Sequence, residues 1–344
     1  MVFLHAWQFW RARWEKRSKR PYCRSDRESR EKLVSETAVS HMNAVRYMNK
    51  ELAVTIGLTL ALVLGASCQS VAQGAGSAVN PAPGSFVEVE GSKLYFEECG
   101  TGAEAVVLIH DGIAHSAVWD DVWPVFCKRF HTIRYDRRGY GRTPVATSPY
   151  TEIEDLATLL RQRKVSRAIL VGSSHGGELS IDFTLHYANV VQQLVLVGAV
   201  VSGMPYSDHF LNRGMINSRP FEKNDVAGGL ANWAKDKYLL APAHEAAQKR
   251  LLALLTANPQ DMTHSDYARP IMPAIDRLHE IRVPALILVG DADIPDVHAH
   301  AGAIEAGISG SKRVVMSDVG HLMYLEKPVE FSNEVISFID SNRF

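Results

Sequence analysis

The sequence predicts an α/β fold, a mostly parallel sheet with helices on both faces. Three observations carry that reading. Short Val/Ile/Leu-rich runs alternate with longer stretches of helical periodicity, the pattern of strands joined by crossover helices. Those runs are near-continuously apolar, as a strand covered on both faces requires. One of them passes directly into a helix through a Gly-rich turn at residues 172–177.

Taken in order, Phe86–Glu90 and Lys93–Glu98 alternate around Gly91-Ser92 and read as a β-hairpin. Further strands are expected at Ala105–His110, Thr132–Asp136, Ala168–Gly172, Gln193–Gly198, Ala285–Gly290 and Lys312–Ser317. Among the helices, Thr151–Val165 places Ile153, Leu156, Leu159 and Leu160 on one face. Ser174–Tyr187 follows a strand directly, and Pro328–Ile339 starts with a proline in its first turn, where the missing N–H costs nothing. The alternation lapses over residues 200–278, which read as a helical insertion between two strands. Met204, Tyr206, Phe210, Met215, Phe221 and Trp233 lie there; they could line an acyl site, but core packing is the expected fate of most. No internal repeat is found.

Upstream, the sequence changes character. Leu52–Leu64 is an uncharged apolar run after Lys50, followed by small residues, the layout of a secretory signal over residues 48–72. It falls short of the roughly 20 apolar residues of a membrane span. Ser70-Val71-Ala72 fits cleavage before Gln73, and residues 73–85 read as a Gly/Pro/Ser/Ala linker to a domain spanning 86–344. A second reading takes Leu64-Gly65-Ala66-Ser67-Cys68 as a lipoprotein box, with Gly65 where such boxes usually carry Leu; membrane attachment is expected only if Cys68 is lipidated. Residues 1–47 have no periodicity and fit no leader, so translation is expected to begin at Met48 or Met42. The protein is therefore expected to be exported, either periplasmic or secreted.

Charge narrows the partners. Residues 1–72 hold 12 Lys+Arg against 6 Asp+Glu, whereas residues 73–344 hold 25 against 32. The acidic body lacks the footprint of a nucleic-acid binder. Of the four cysteines, Cys23 and Cys68 precede the body, which leaves Cys99 and Cys127. An oxidising compartment permits a disulfide between them, although their positions do not by themselves argue for one. No CxxC or zinc spacing is present, and no metal or organic cofactor is expected.

The chemistry-bearing signal is Gly172-Ser173-Ser174-His175-Gly176-Gly177, a G-x-S-x-G segment between a strand and a helix. A nucleophile on so sharp a turn has strained backbone angles, and glycines two residues away let the chain pass. The following helix points N-terminal amides at the oxyanion formed when Ser174 attacks a carbonyl. Serine needs a base, and His321 follows the last expected strand. An acid must then hold the imidazole in one tautomer; Asp293 follows the strand Ala285–Gly290, with Asp291 and Asp296 as rivals suited to turn formation.

Residues 86–344 resemble the α/β-hydrolase superfamily, in its esterase, lactonase and cofactor-free haloperoxidase branch. Besides the serine turn, Val107-Leu108-Ile109-His110-Asp111-Gly112 resembles its His-Gly oxyanion segment, and Tyr135–Thr143 its D-x-R-G-x-G-x-S/T loop. Gly290-Asp291-Ala292-Asp293 resembles its G-x-x-D acid turn, and Val319-Gly320-His321 the Gly-His that carries the base. The resemblance implies an eight-stranded α/β-hydrolase sheet with a helical cap, and a Ser174–His321–Asp293 triad that cleaves a small-molecule carboxylic ester or lactone. It also implies oxyanion donors at the N–H groups of Gly112 and His175, with Ile113 as a second candidate. One departure is Asp111, where the family usually has glycine: its carboxylate either weakens the oxyanion hole or turns away to bond a neighbour. Carbon–carbon bond hydrolysis on the same triad remains open, as does a non-catalytic binding protein on the same scaffold.

Overall fold

The computed structural model describes residues 84–102 and 104–342. The expected extension, the leader, Cys68 and most of the linker lie outside the described residues. The hairpin strands are β1 (Ser85–Val89) and β2 (Ser92–Cys99), followed by β3 (Ala105–Ile109), helix α1 (Trp123–Arg129), β4 (His131–Tyr135), α2 (Glu152–Gln162), β5 (Ala168–Ser173), α3 (His175–His186) and β6 (Val191–Val197). Helices α4 (Asp208–Glu222), α5 (Val226–Ala234), α6 (Glu245–Ala257) and the single turn α7 (Gln260–Thr263) then intervene. The chain returns to β7 (Ala285–Gly290), α8 (Pro295–Gly307), β8 (Lys312–Met316), the short α9 (Met323–Glu326) and α10 (Pro328–Ser341).

These strands form one eight-stranded sheet in the order β1-β2-β4-β3-β5-β6-β7-β8. β2 pairs antiparallel with both β1 and β4, and every pairing from β4 to β8 is parallel. Successive side chains of a strand point to opposite faces, so each central strand feeds two cores. Val107 and Ile109 of β3 join Leu170, Leu194, Leu196 and Ile287 on one face. Val106 and Leu108 join Ile169, Val171, Val195, Val197 and Leu286 on the other. Burial on both faces is the physical reason for the unbroken apolar runs.

The expected strands agree with the observed ones to within about two residues, the usual uncertainty of element ends. Helix α8 has no counterpart among the expected helices, because alanines and histidines blur its apolar stripe. Cys99 and Cys127 are joined as a disulfide with their Cα atoms 5.3 Å apart, fastening the end of β2 to α1. Their sequence positions had not argued for that pairing; only the fold of β2 beside β4 brings them into reach.

Candidate active site

Ser174 sits between β5 and α3 with φ 52° and ψ −113°, a conformation that costs energy for any residue with a Cβ. The turn is locked from both sides. Its N–H donates to Val197 O at 2.8 Å, and its carbonyl accepts from the N–H groups of Gly177 and Glu178, both at 3.0 Å. Around it only glycine fits: a Cβ on Gly172 would lie 2.3 Å from Gly176 O, and one on Gly176 would lie 2.4 Å from Ile109 O. The glycines of G-x-S-x-G thus let the turn pack against β3.

His321 and Asp293 meet across the carboxyl ends of β7 and β8. The Nδ1 of His321 lies 2.7 Å from Asp293 Oδ2, and both side chains are almost fully buried. Burial opposes a charge on His321, but the Asp293 carboxylate outweighs it and raises the imidazole pKa above the ordinary 6.5. The rival carboxylates are engaged elsewhere. Asp291 accepts from Val319 N–H at 3.3 Å, while Asp296 takes the N–H and hydroxyl of Ser207 at 2.6 and 2.7 Å.

The serine turn and this pair share a wall. Val197, whose carbonyl holds Ser174, is followed by Gly198 at φ 52°, and a Cβ there would lie 2.9 Å from His321 Nδ1 and 3.4 Å from Asp293 Oδ2. His321 and Asp293 are therefore hydrogen-bonded, with Ser174 one backbone segment away. No hydrogen bond joins Ser174 Oγ to His321 in this structure; such bonds commonly tighten only when substrate is bound.

Asp111 turns away from the expected oxyanion position. Its Oδ1 accepts from the N–H groups of Ile113 at 2.5 Å and Ala114 at 3.0 Å, and its Oδ2 accepts from the Tyr324 hydroxyl at 2.8 Å. The Tyr324 hydroxyl also lies 3.2 Å from Ser173 Oγ, so one buried network braces the β3 loop and the residue before Ser174. Ile113, the second candidate donor, is thereby committed to Asp111. Gly112 and His175, the first candidates, are neighbours: a Cβ on Gly112 would lie 3.8 Å from His175 Cβ.

Beneath them lies a charged cluster that the sequence did not disclose. The His175 ring, about a third exposed, pairs with Glu152 Oε2 at 2.7 Å, and Arg137 takes Glu152 Oε1 at 2.8 Å. Burial works against ionisation of Glu152, yet His175 and Arg137 together hold its carboxyl well below the usual range. Arg137 also donates to the Asp111 carbonyl at 2.6 Å, and its N–H to His110 Nε2 at 3.0 Å. The other nitrogen of His110 donates to that same carbonyl at 2.7 Å. Burial and Arg137 push the His110 pKa far down, so this ring stays neutral and acts as a brace. Nothing in the sequence marked Glu152 or Tyr324, since each sits in an ordinary helical segment.

The insertion touches the site through its own backbone. His321 N–H donates to Tyr238 O at 2.9 Å, and Leu322 N–H to Leu239 O at 3.0 Å. Of the aromatic and Met side chains expected there, Phe221 and Trp233 are buried in one core, and Met204, Tyr206 and Phe210 pack against the other. Met215 is exposed. Core packing accounts for most of them.

Comparison with known proteins agrees with this architecture. A 2-hydroxy-6-oxononadienedioate/2-hydroxy-6-oxononatrienedioate hydrolase of Escherichia coli O81 (strain ED1a) is 25% identical over 274 residues, covering 72% of this chain and 91% of that protein. The solved structure of an N-acyl homoserine lactone degrading enzyme is 25% identical with a TM-score of 0.60, covering 74% of this chain and all (100%) of that one. An esterase from Exiguobacterium antarcticum, 24% identical, shares the fold with a TM-score of 0.63 over 75% of this chain and 100% of its own. The profile of the alpha/beta hydrolase family matches residues 106–334, within which Ser174, Asp293 and His321 all fall. The chain belongs to the alpha/beta hydrolase family.

Proposed function

We propose that the protein is an exported serine hydrolase that cleaves a small-molecule carboxylic ester or lactone. The observation that carries this reading is a serine at φ 52° on a strand-to-helix turn, one backbone segment from a buried histidine–aspartate pair. Ser174 Oγ attacks the carbonyl carbon as His321 Nε2 takes its proton. The oxyanion is held by the N–H groups of Gly112 and His175. Collapse of the tetrahedral intermediate expels the alcohol, which receives the proton from His321 and leaves an acyl group on Ser174. Water, deprotonated by the same histidine, then releases the acid and restores the serine. Asp293 keeps Nδ1 protonated throughout and stabilises the imidazolium.

The test is Ser174→Ala against a p-nitrophenyl ester, with a fluorophosphonate probe on the wild type. Turnover is expected to fall by roughly four to six orders of magnitude, with the probe on Ser174 alone. An unlabelled, inactive wild-type protein would favour a binding role on the same scaffold.

The Escherichia coli relative's name supports a second reading, hydrolysis of a carbon–carbon bond beside a ketone. There the acyl half gains hydroxyl from water and the departing carbon gains the proton. Product analysis with a vinylogous 1,5-diketone against simple esters separates the two. The Cys99–Cys127 disulfide supports export, since such bonds persist in oxidising compartments. N-terminal sequencing of the native protein is expected to begin at Gln73, or at a lipidated Cys68.

A further inference from the structure

Arg213, on the first helix of the insertion, has more hydrogen-bonding capacity than the fold uses. Its side chain is about nine-tenths buried, and Nε donates to Asp236 Oδ2 at 2.8 Å. Nη2 is buried too and has no acceptor among the described residues. Asp236 cannot readily supply one. The same Oδ2 already accepts from Asn217 Nδ2 at 2.5 Å, and Oδ1 accepts from the N–H groups of Tyr238 and Leu239 at 2.9 and 3.2 Å. The guanidinium is instead enclosed by the rings of Trp233, Tyr238 and Phe210, 5.3, 5.7 and 5.9 Å from their centroids. A cation so placed is out of water, and an unmet donor on it favours an incoming acceptor strongly.

Its position ties that donor to the catalytic end of the sheet. Tyr238, whose ring flanks Arg213 and whose N–H is held by Asp236, gives its carbonyl to the His321 N–H. Gly320 packs so closely on the carbonyls of Tyr238 and Leu239 that a Cβ there would lie 2.8 Å from each. The charge of Arg213 is felt at His321, where it lowers the imidazole pKa against the larger effect of Asp293.

We propose that Arg213 is a specificity-determining residue, whose Nη2 edge receives a carboxylate carried by the substrate away from the bond being cleaved. A planar carboxylate matches one unpaired edge of a guanidinium walled by aromatic rings, whereas a phosphate calls for more donors. The proposal rests on the serine-hydrolase reading of the same site and narrows its substrates to anionic ones.

Two matched substrates test it: the p-nitrophenyl monoester of glutaric acid, with a free carboxylate, and neutral p-nitrophenyl butyrate. The wild type is expected to favour the anionic ester in kcat/KM by about tenfold or more, mainly through KM. Arg213→Gln is expected to abolish that preference by raising KM for the anionic ester far more than for butyrate, and Arg213→Lys to restore part of it. With Arg213 gone, the acidic limb of the butyrate pH profile is expected to move upward, because a cation that depressed the His321 pKa is lost. Calorimetry with glutarate reads the same edge without turnover: binding to wild type and not to Arg213→Gln is expected, with inorganic phosphate as a weaker control. Equal loss on both substrates, no preference in the wild type, or unchanged glutarate binding in a folded Arg213→Gln protein would overturn the assignment. Butyrate turnover without anion preference removes this proposal alone; failure of both esters with retained glutarate binding removes the hydrolase reading and leaves an anion site.

Discussion

Along β3, β5, β6 and β7, consecutive side chains drop alternately into two apolar cores, whereas the insertion between β6 and β7 adds to its apolar packing a set of carboxylate anchors to that body. Asp261 of the insertion meets His115 Nδ1 at 2.6 Å and the Gly141 N–H at 2.8 Å. From the body, Asp296 holds Ser207, and Glu326 holds the N–H groups of Ala241 and Gly320, both at 2.7 Å. Apolar packing is spread over many contacts and tolerates local change, while a carboxylate anchor fails at one residue. The sheet therefore supplies a rigid rim for Ser174, Asp293 and His321, and the insertion supplies a wall adjustable at a few points.

The sharpest way to break this contrast is at the rim. Asp293→Asn should lower kcat by about four orders of magnitude while leaving the fold intact, since the amide favours the wrong tautomer. Steady-state kinetics beside a thermal melt checks it. The same residue governs the pH profile. In the proposed mechanism a neutral His321 acts as base, and Asp293 raises its pKa, so kcat/KM should rise with pH through an acidic limb above 6.5. In Asp293→Asn the residual activity should show that limb at lower pH.

Gly198→Ala probes the wall shared by the serine turn and the histidine. The added methyl meets His321 and must also adopt φ 52°, so a displacement of the imidazole costing about 100-fold in kcat is expected, greater than its effect on KM. The smallest effect belongs to the insertion. Asp261→Ala strips His115 and the Gly141 N–H of their partner and should cost about 1–3 kcal/mol, read by denaturant unfolding. Limited proteolysis should then cut between residues 200 and 278 before the sheet; cleavage in the sheet first would contradict the contrast.

What was legible in the sequence follows the same division. The central strands could be placed because double-sided burial leaves an unbroken apolar run. Ser174 and Asp293 could be singled out because each lies just past such a run, and His321 because it follows the last strand directly after a glycine. The polar braces could not. Glu152 reaches His175 across 23 positions and Tyr324 reaches Asp111 across 213. Nothing local distinguishes such a residue from a solvated helix face. Asp111 was visible as a departure, but whether it opposed or built the loop depended on Tyr324. Arg213 was hidden for a related reason: an arginine in a surface-type helix gives no sign that its partner is already saturated.

Gly198 carries a consequence for redesign. Because no side chain can grow from that position without striking the imidazole, saturation libraries there will return mostly inactive clones. If the proposed chemistry holds, substrate range is to be rewritten in the helices that follow β6. An engineer seeking a new ester preference would do best to freeze residues 172–177 and 198 and to diversify around Arg213.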